Sequence, residues 1–303
     1  MNNKVVIIGC GNVGMSYAYA LINQRTYVNK LILIDLDEQR IEGEVMDLNH
    51  CLAYAPSKIS INVGKYEDCK DARIVVIAAG ANQKPGETRT DLINKNASIF
   101  KDIVSKVMES GFNGIFLVAT NPLDVMTYLT YKYSGLPAKQ VIGTGTSLDT
   151  ARLKLMIGKK LCISPKNIEA YVIGEHGDSE FIPWSNANIS LQNIKDFFKQ
   201  KELDNIENDV RNAAYEIINR KGATYYGIGM CLVAITNAIL GNENAIIPLS
   251  VYDKENDVYI GLPAIVNQEG AERRVYLKLN EEEKIKLQLS IDVIKSNINS
   301  LKN

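Results

Sequence analysis

Short apolar runs alternate with amphipathic stretches through the first half of the chain. Residues 5–8, 31–34, 74–78 and 115–119 are apolar almost throughout, the pattern of strands buried on both faces. Residues 141–142 predict a fifth, shorter strand. Between these runs, residues 13–23, 39–51 and 90–110 read as helices. Strand and helix alternating in this way predict a parallel, doubly wound α/β sheet.

The pattern changes in the second half. Residues 148–161 predict a helix, residues 168–173, 258–266 and 275–279 predict strands, and residues 204–240 are mostly helical with a break near Lys221-Gly222. The chain closes on a helix over residues 281–301 with glutamates at its start and lysine near its end, the favourable sense for the helix dipole. Glycines and threonines cluster near residue 143. They place a boundary between a first domain, residues 1–143, and a second domain of mixed α/β structure, residues 144–303. No flexible linker separates them, so the two halves are expected to pack tightly.

Composition narrows the class. The 303 residues are 46% apolar and 23% charged with a net charge of −1, which argues against a general nucleic-acid surface or a polybasic membrane surface. The five cysteines are scattered and form no C-x-x-C pair. That usage predicts reduced thiols in a cytoplasmic protein, with neither a disulfide frame nor a zinc site. No His, Cys and carboxylate set has metal-ligand spacing, so no metal is expected. The apolar run after Lys4 is too short for a secretory signal, and no stretch of about 18 apolar residues predicts a membrane helix.

Candidate chemistry begins at the first strand. Gly9-Cys10-Gly11-Asn12-Val13-Gly14 follows it directly and opens a helix. In that context Gly9 makes the tight turn, Gly11 lets a pyrophosphate approach the backbone, and Gly14 lets helix and strand pack closely. Asn12 and Val13 complete the turn, whose helix N-terminus offers free N–H groups to phosphate. Asp35 ends the second strand, where a carboxylate accepts hydrogen bonds from ribose hydroxyls and repels a 2′-phosphate. The unit predicts a Rossmann domain that prefers NAD to NADP. Cys10 lies inside the turn, so thiol reagents are expected to interfere with the cofactor.

Further along, a long polar loop over residues 79–89 is hinged by Gly80 and Gly86 and runs into a helix carrying Asn94 and Asn96. Such a segment can close over a ligand and exclude water. Asn121 ends the fourth strand, facing the ligand crevice of a parallel sheet. Asp149 and Arg152 lie three apart on one predicted helix face. His176, one of two histidines, sits in Gly174-Glu175-His176-Gly177-Asp178. A carboxylate can orient an imidazole and favour its protonated form, and a guanidinium can grip a substrate carboxylate. The other histidine, His50, ends a predicted helix and is read as structural. Tyr225-Tyr226 is read as core or pocket wall.

The motifs GCGNVG, ANQKPGETR, VATNPLD, SLDTAR, GEHGD and KGATYYGIG occur in this order over nearly the whole chain. Together they resemble the lactate/malate dehydrogenase family, and within it the bacterial L-lactate-forming branch. The resemblance implies NADH-dependent reduction of a 2-oxo acid. It implies His176 as proton donor and acceptor, Asp149 as its orienting partner and Arg152 as the binder of the substrate carboxylate. Arg89 resembles the residue that polarises the reacting carbonyl. Asn121 resembles one that bonds the substrate oxygen and borders the cofactor, Thr224 lines the carboxylate site, and Ile228 backs the nicotinamide. Gln83 resembles the specificity residue, at a position where malate dehydrogenases carry Arg.

Many bacterial relatives are activated by fructose 1,6-bisphosphate through an Arg and a His. Lys154 and Glu169 stand at those positions here, so weak or absent activation is expected. The resemblance also implies a homo-oligomer, tetramer or dimer, with contacts through the regions 39–51 and 210–240. Two alternatives stay open: a related dehydrogenase for bulkier 2-oxo acids, and a non-catalytic NAD-binding protein that keeps the fold.

Overall fold

The computed structural model describes residues 2–81 and 89–301, the side chain of Arg89 excepted. Six parallel strands form its first part: β1 (Lys4–Ile8), β2 (Lys30–Ile34), β3 (Ser60–Val63), β4 (Ile74–Ile77), β5 (Ile115–Val118) and β6 (Val141–Gly143). They lie in the order β3-β2-β1-β4-β5-β6, and the order reverses direction between β1 and β4, where such sheets bind ligands. Every residue of β1, β4 and β5 is buried, as expected of strands covered by helices on both faces.

The covering helices are α1 (Asn12–Asn23), α2 (Glu38–Cys51), α3 (Arg89–Glu109) and α4 (Leu123–Ser134). Two of these first-half elements escape the sequence pattern for opposite reasons. Strand β3 lies at the sheet edge and buries only Ile61, so it carries no apolar run. Helix α4 is buried over most of its length and rich in Tyr and Thr, residues of indifferent helix propensity. Packing decides its conformation, and Gly135 ends it in the left-handed region at φ 65°.

Beyond β6 come α5 (Ser147–Leu161), then a small antiparallel sheet of β7 (Ile168–Glu169), β8 (Asn188–Ile189) and β9 (Gln192–Asn193). Helices α6 (Gln200–Lys221) and α7 (Tyr226–Leu240) follow, with Gly222 at φ 83° between them, where the sequence places the break. Strands β10 (Ala245–Asp253), β11 (Val258–Asn267) and β12 (Gly270–Arg274) then run antiparallel and join the first sheet at β6, where Ser250 pairs Gly143. One nine-stranded sheet therefore runs through both halves. Helix α8 (Glu281–Asn299) closes the chain, capped by Asn280 and with three glutamates but no base in its terminal turns.

Two expected strands are corrected. The run 168–173 is paired only at β7; beyond it Ile173 makes an isolated bridge to Phe181. The run 275–279 is not a strand. Its alternation is real, since Leu277 and Leu279 pack against the core, but pairing with β11 is made one step earlier, by β12. Strand β10, not expected, carries Pro248 opposite Pro263 of β11; proline interrupts the usual strand signal.

Candidate active site

The glycine turn is built as its residues require. Gly9 has φ +93°, and a Cβ there would strike the backbone of Ala79 at the end of β4. A Cβ on Gly14 would strike the carbonyl oxygen of Gly9, so helix α1 and the turn touch through this glycine. Gly11 differs: a Cβ there would meet nothing within 4 Å among the described residues. It faces open space at the N-terminus of α1, and among the described residues no side chain caps that helix. Gly11, Asn12 and Val13 thus present free backbone N–H groups to an anion at the carboxyl end of β1, and the residues fit a dinucleotide.

Asp35 closes the turn from β2. One carboxylate oxygen accepts the Cys10 N–H at 2.7 Å and the other the Asp37 N–H at 3.1 Å. Each oxygen keeps a lone pair for a ribose hydroxyl. The Arg40 guanidinium donates to the Cys10 carbonyl and steadies the same turn. Cys10 itself points inward. It is fully buried, its Sγ lies 3.6 Å from the Ile34 carbonyl, and burial pushes its thiol up to about 12. A thiol so held is unreactive, which corrects the expected sensitivity of this turn to thiol reagents.

Ile228 is half-buried on α7 and packs against the core. One residue on, Gly229 brings α7 into backbone contact with Ser16 and Tyr17 of α1. The crevice is thereby bounded by the glycine turn on one side and the start of α7 on the other. Thr224 is half-buried between α6 and α7. Tyr226 is 70% exposed and stacks edge-on with Tyr225 under Lys221. Both rings wall a surface groove on α1 and neither belongs to the core.

At the end of β5 the Asn121–Pro122 peptide is cis. Asn96, buried on α3, donates to the Asn121 carbonyl at 3.0 Å and accepts the Ala81 N–H at 2.8 Å. Asn96 thus ties the strand end to the segment entering the polar loop, and leaves the exposed Asn121 side chain at the crevice. Gln83 and the Arg89 side chain lie outside the described residues.

His176 is held by its backbone first. Gly174 at φ +101° exchanges two backbone bonds of 2.9 Å with Gly261 of β11, and Ile173 pairs with Phe181 across the loop. The next two amides find side chains: Glu175 N–H donates to Ser290 Oγ of α8 at 2.6 Å, and His176 N–H to Asp124 of α4 at 2.8 Å. The ring is then fixed by Asp149 of α5, whose Oδ2 is 2.7 Å from His176 Nδ1. The other oxygen, Oδ1, accepts from Arg152 Nη1 at 2.7 Å. Asp149 is 3% exposed and Arg152 11%. The paired spacing in SLDTAR therefore joins both groups to one carboxylate, and Nε2 of His176 has no partner among the described residues.

Electrostatics follow this geometry. Burial pulls the imidazole pKa down, but the Asp149 charge and hydrogen bond, with Glu180 and Asp124 behind them, outweigh it and raise it to about 9. Burial likewise opposes ionisation of Asp149, yet His176 and Arg152 hold it below the usual range. At neutral pH the pair is imidazolium and carboxylate, with the free imidazolium N–H directed away from Asp149.

Two acids near His176 escape the sequence reading. Asp124 lies inside VATNPLD and carries the His176 amide; burial raises it to about 6. Glu180 stands four residues after His176, and its carboxyl gathers with Asp149 and His176 within 4.8 Å. An acid so close in sequence to the histidine was the available signal for it. The three groups have metal-ligand proximity, but both Asp149 oxygens are already bonded to His176 and Arg152.

A parallel sheet with an open glycine turn at its switch point, beside a His–Asp–Arg set joined through a buried carboxylate, defines a nucleotide-dependent enzyme with an acid/base centre. Residues 3–143 match the lactate/malate dehydrogenase NAD binding domain and residues 146–303 the α/β C-terminal domain of the same family. The chain belongs to the lactate/malate dehydrogenase family, and its first domain binds NAD.

It is 52% identical to L-lactate dehydrogenase 2 of Bacillus cereus, strain ZK / E33L, over 97% of this chain and 96% of that one. Identity to the L-lactate dehydrogenase of Bacillus pumilus is 54% over the same shares. Among solved structures, a lactate dehydrogenase from a Medee basin deep-sea metagenome superposes with a TM-score of 0.96 at 54% identity, covering 99% of this chain and 98% of the other. The minor L-lactate dehydrogenase of Enterococcus mundtii superposes at 0.97 in its ligands-bound form, with 44% identity and 99% of each chain covered. In its ligands-unbound form the TM-score is 0.92.

Proposed function

We propose that this chain is an NAD-dependent L-lactate dehydrogenase that interconverts pyruvate and L-lactate. The observation that carries the reading is Asp149, which joins the proton donor His176 to the cationic grip Arg152 through its two oxygens. Bound reduced nicotinamide supplies the hydride to C2 of pyruvate. The protein's own groups do the rest. Arg152 binds the substrate carboxylate, and His176 gives its Nε2 proton to the carbonyl oxygen. Asp149 keeps the imidazolium charged until then. Arg89, from the start of α3, stabilises negative charge developing on that oxygen, most strongly once water is excluded. Asn121 bonds the substrate oxygen, Thr224 lines the carboxylate site, and Ile228 backs the ring.

Direction follows from protonation. With the His176 pKa raised to about 9, the acid form needed for pyruvate reduction prevails at neutral pH, and lactate oxidation gains as pH rises through that value. Gln83 offers a second substrate carboxylate no charge partner, which disfavours oxaloacetate. The test is NADH oxidation with pyruvate, oxaloacetate and 2-oxoisocaproate in parallel. Fast turnover with pyruvate alone is the expected result. Preference for 2-oxoisocaproate identifies a dehydrogenase of bulkier acids, and no turnover with any of the three a non-catalytic NAD-binding protein.

The same reading divides the chain into a cofactor domain, residues 1–143, and a substrate domain, residues 144–303. It makes the protein a cytoplasmic homo-oligomer, dimer or tetramer. No helix among the described residues is long and apolar enough to cross a membrane. The assembly is supported by a groove of about 520 Å³ lined by α1, α2 and the start of α7, with Tyr19, Tyr226 and Met230 exposed along it. Weak response to a bisphosphate effector is supported at Lys154. Its ammonium sits over the Tyr171 ring at 5.6 Å, near exposed Glu169, and burial lowers its pKa.

A further inference from the structure

The mechanism above leaves Glu180 unused, although it is 5% exposed and its carboxyl lies within 4.8 Å of both His176 and Asp149. The fold puts it there. Glu180 precedes Phe181, whose backbone pairs with Ile173 to close the loop around His176. Among the described residues no side chain donates a hydrogen bond to its carboxyl.

The charged groups around it come from several elements. Helix α5 contributes Asp149 and Arg152, and the loop contributes His176. Helix α6 contributes Arg211, which turns one Nη to the Glu180 main-chain oxygen at 3.2 Å and to Glu207 at 3.3 Å. From α4, Asp124 approaches through the His176 amide.

Two carboxyls this close do not both ionise readily. Asp149 has the Arg152 and His176 hydrogen bonds, and Glu180 has neither. Burial first, and then the Asp149 charge, push Glu180 well above the usual carboxylate range. The proton of the pair therefore resides on Glu180. A 2-oxo acid anion entering beside Arg152 adds another negative charge to the same enclosure, and binding it there favours a protonated Glu180 further.

We propose that Glu180 is a positioning residue for charge: a carboxyl that must be protonated, together with His176, for the substrate anion to bind. Ionisation of Glu180 at alkaline pH then closes the site to that anion. This rests on the dehydrogenase reading above. Its consequence is that substrate binding in the alkaline range depends on two protons, one on His176 and one on Glu180, where a His–Asp pair alone would require one.

The test is the pH dependence of kcat/KM for pyruvate between pH 7 and 10.5 at saturating NADH, with KM and kcat resolved separately. In the native enzyme the alkaline limb should fall more steeply than tenfold per pH unit, approaching a hundredfold, with the loss in KM. In Glu180→Gln, which fixes a neutral side chain, it should fall tenfold per unit. Equal slopes in the two proteins would overturn the proposal, as would a pH-independent loss of activity in the variant, the mark of a structural role.

A second measurement needs no variant. Calorimetry of oxamate, an unreactive pyruvate analogue, binding to the native enzyme–NADH complex near pH 10 in buffers of different ionisation enthalpy counts protons taken up. More than one supports the proposal, and one or fewer contradicts it. A native enzyme that turns over pyruvate with a one-proton limb refutes only the role of Glu180. A native protein inactive with every 2-oxo acid refutes the dehydrogenase reading itself.

Discussion

The Gly9–Gly14 turn and the loop around His176 hold their functional groups by opposite means. The turn works through backbone. Its shape follows from two glycines that no side chain could replace, Gly9 against Ala79 and Gly14 against Gly9, and from one carboxylate 25 residues away. The His176 loop works through buried side chains drawn from distant parts of the chain. Asp149, Asp124 and Ser290 lie 27, 52 and 115 residues from the groups they bind. The first region needs space and conformational freedom. The second pairs the groups that hold the ring in place, because an unmet buried donor or charge is costly, and leaves His176 Nε2 and the Glu180 carboxyl without a hydrogen-bond partner among the described residues. Substitutions should therefore fail differently in the two: through fit in the turn, through protonation in the loop.

The largest effect is expected at the loop. His176→Asn removes the proton donor while keeping a polar side chain, and kcat for pyruvate should fall roughly 10²–10⁴-fold, with NADH affinity retained. Loss of NADH binding, measured by fluorescence titration, would show instead that the two regions are not separable. Next comes the substrate loop. Gln83→Arg supplies a partner for a second carboxylate, and the kcat/KM ratio of pyruvate to oxaloacetate should drop by on the order of 100-fold. A ratio that stays at its native value would remove Gln83 as the discriminator.

Legibility in the sequence divides along the same line. The strands and helices of the cofactor half repeat local patterns, and the glycine turn is contiguous, so both could be read from neighbouring residues. In the catalytic half, His176, Asp149 and Arg152 were recognisable as chemistry, and their roles came through a family resemblance. The supports were not. Asp124 has no local mark, because its value lies in meeting an amide 52 residues on. Glu180 looks like any surface acid until the Ile173–Phe181 bridge turns it inward. Strand β10 and helix α4 were hidden by Pro248 and by residues of indifferent helix propensity, and tertiary packing overrode both. Cys10 misled for the complementary reason: its position in the turn is visible, its inward direction is not.

Smaller effects separate space from fold within the turn itself. Gly14→Ala forces a methyl group onto the Gly9 carbonyl and should lower stability by about 2 kcal/mol, seen as a fall in Tm. Gly11→Ala, at φ −73° and facing open space, should leave Tm in place and weaken NADH binding, because the added methyl enters the phosphate cradle. Equal losses of Tm in the two variants would contradict the distinct roles. The smallest effect is expected from fructose 1,6-bisphosphate. At sub-millimolar concentration it should change KM for pyruvate by less than about twofold, since Glu169 repels a phosphate beside Lys154. Strong activation would refute that reading.

The central claim is that Asp149 sets the protonation of His176, and one comparison addresses it directly: the pH profile of kcat/KM for pyruvate in the native enzyme and in Asp149→Asn. The Asp149 charge and hydrogen bond are what raise His176 to about 9 against the effect of burial. Without them the imidazole should lose its proton earlier, so the alkaline limb should move down by more than one pH unit while turnover falls at neutral pH. An alkaline limb in the same place in both proteins would show that Asp149 does not govern the proton.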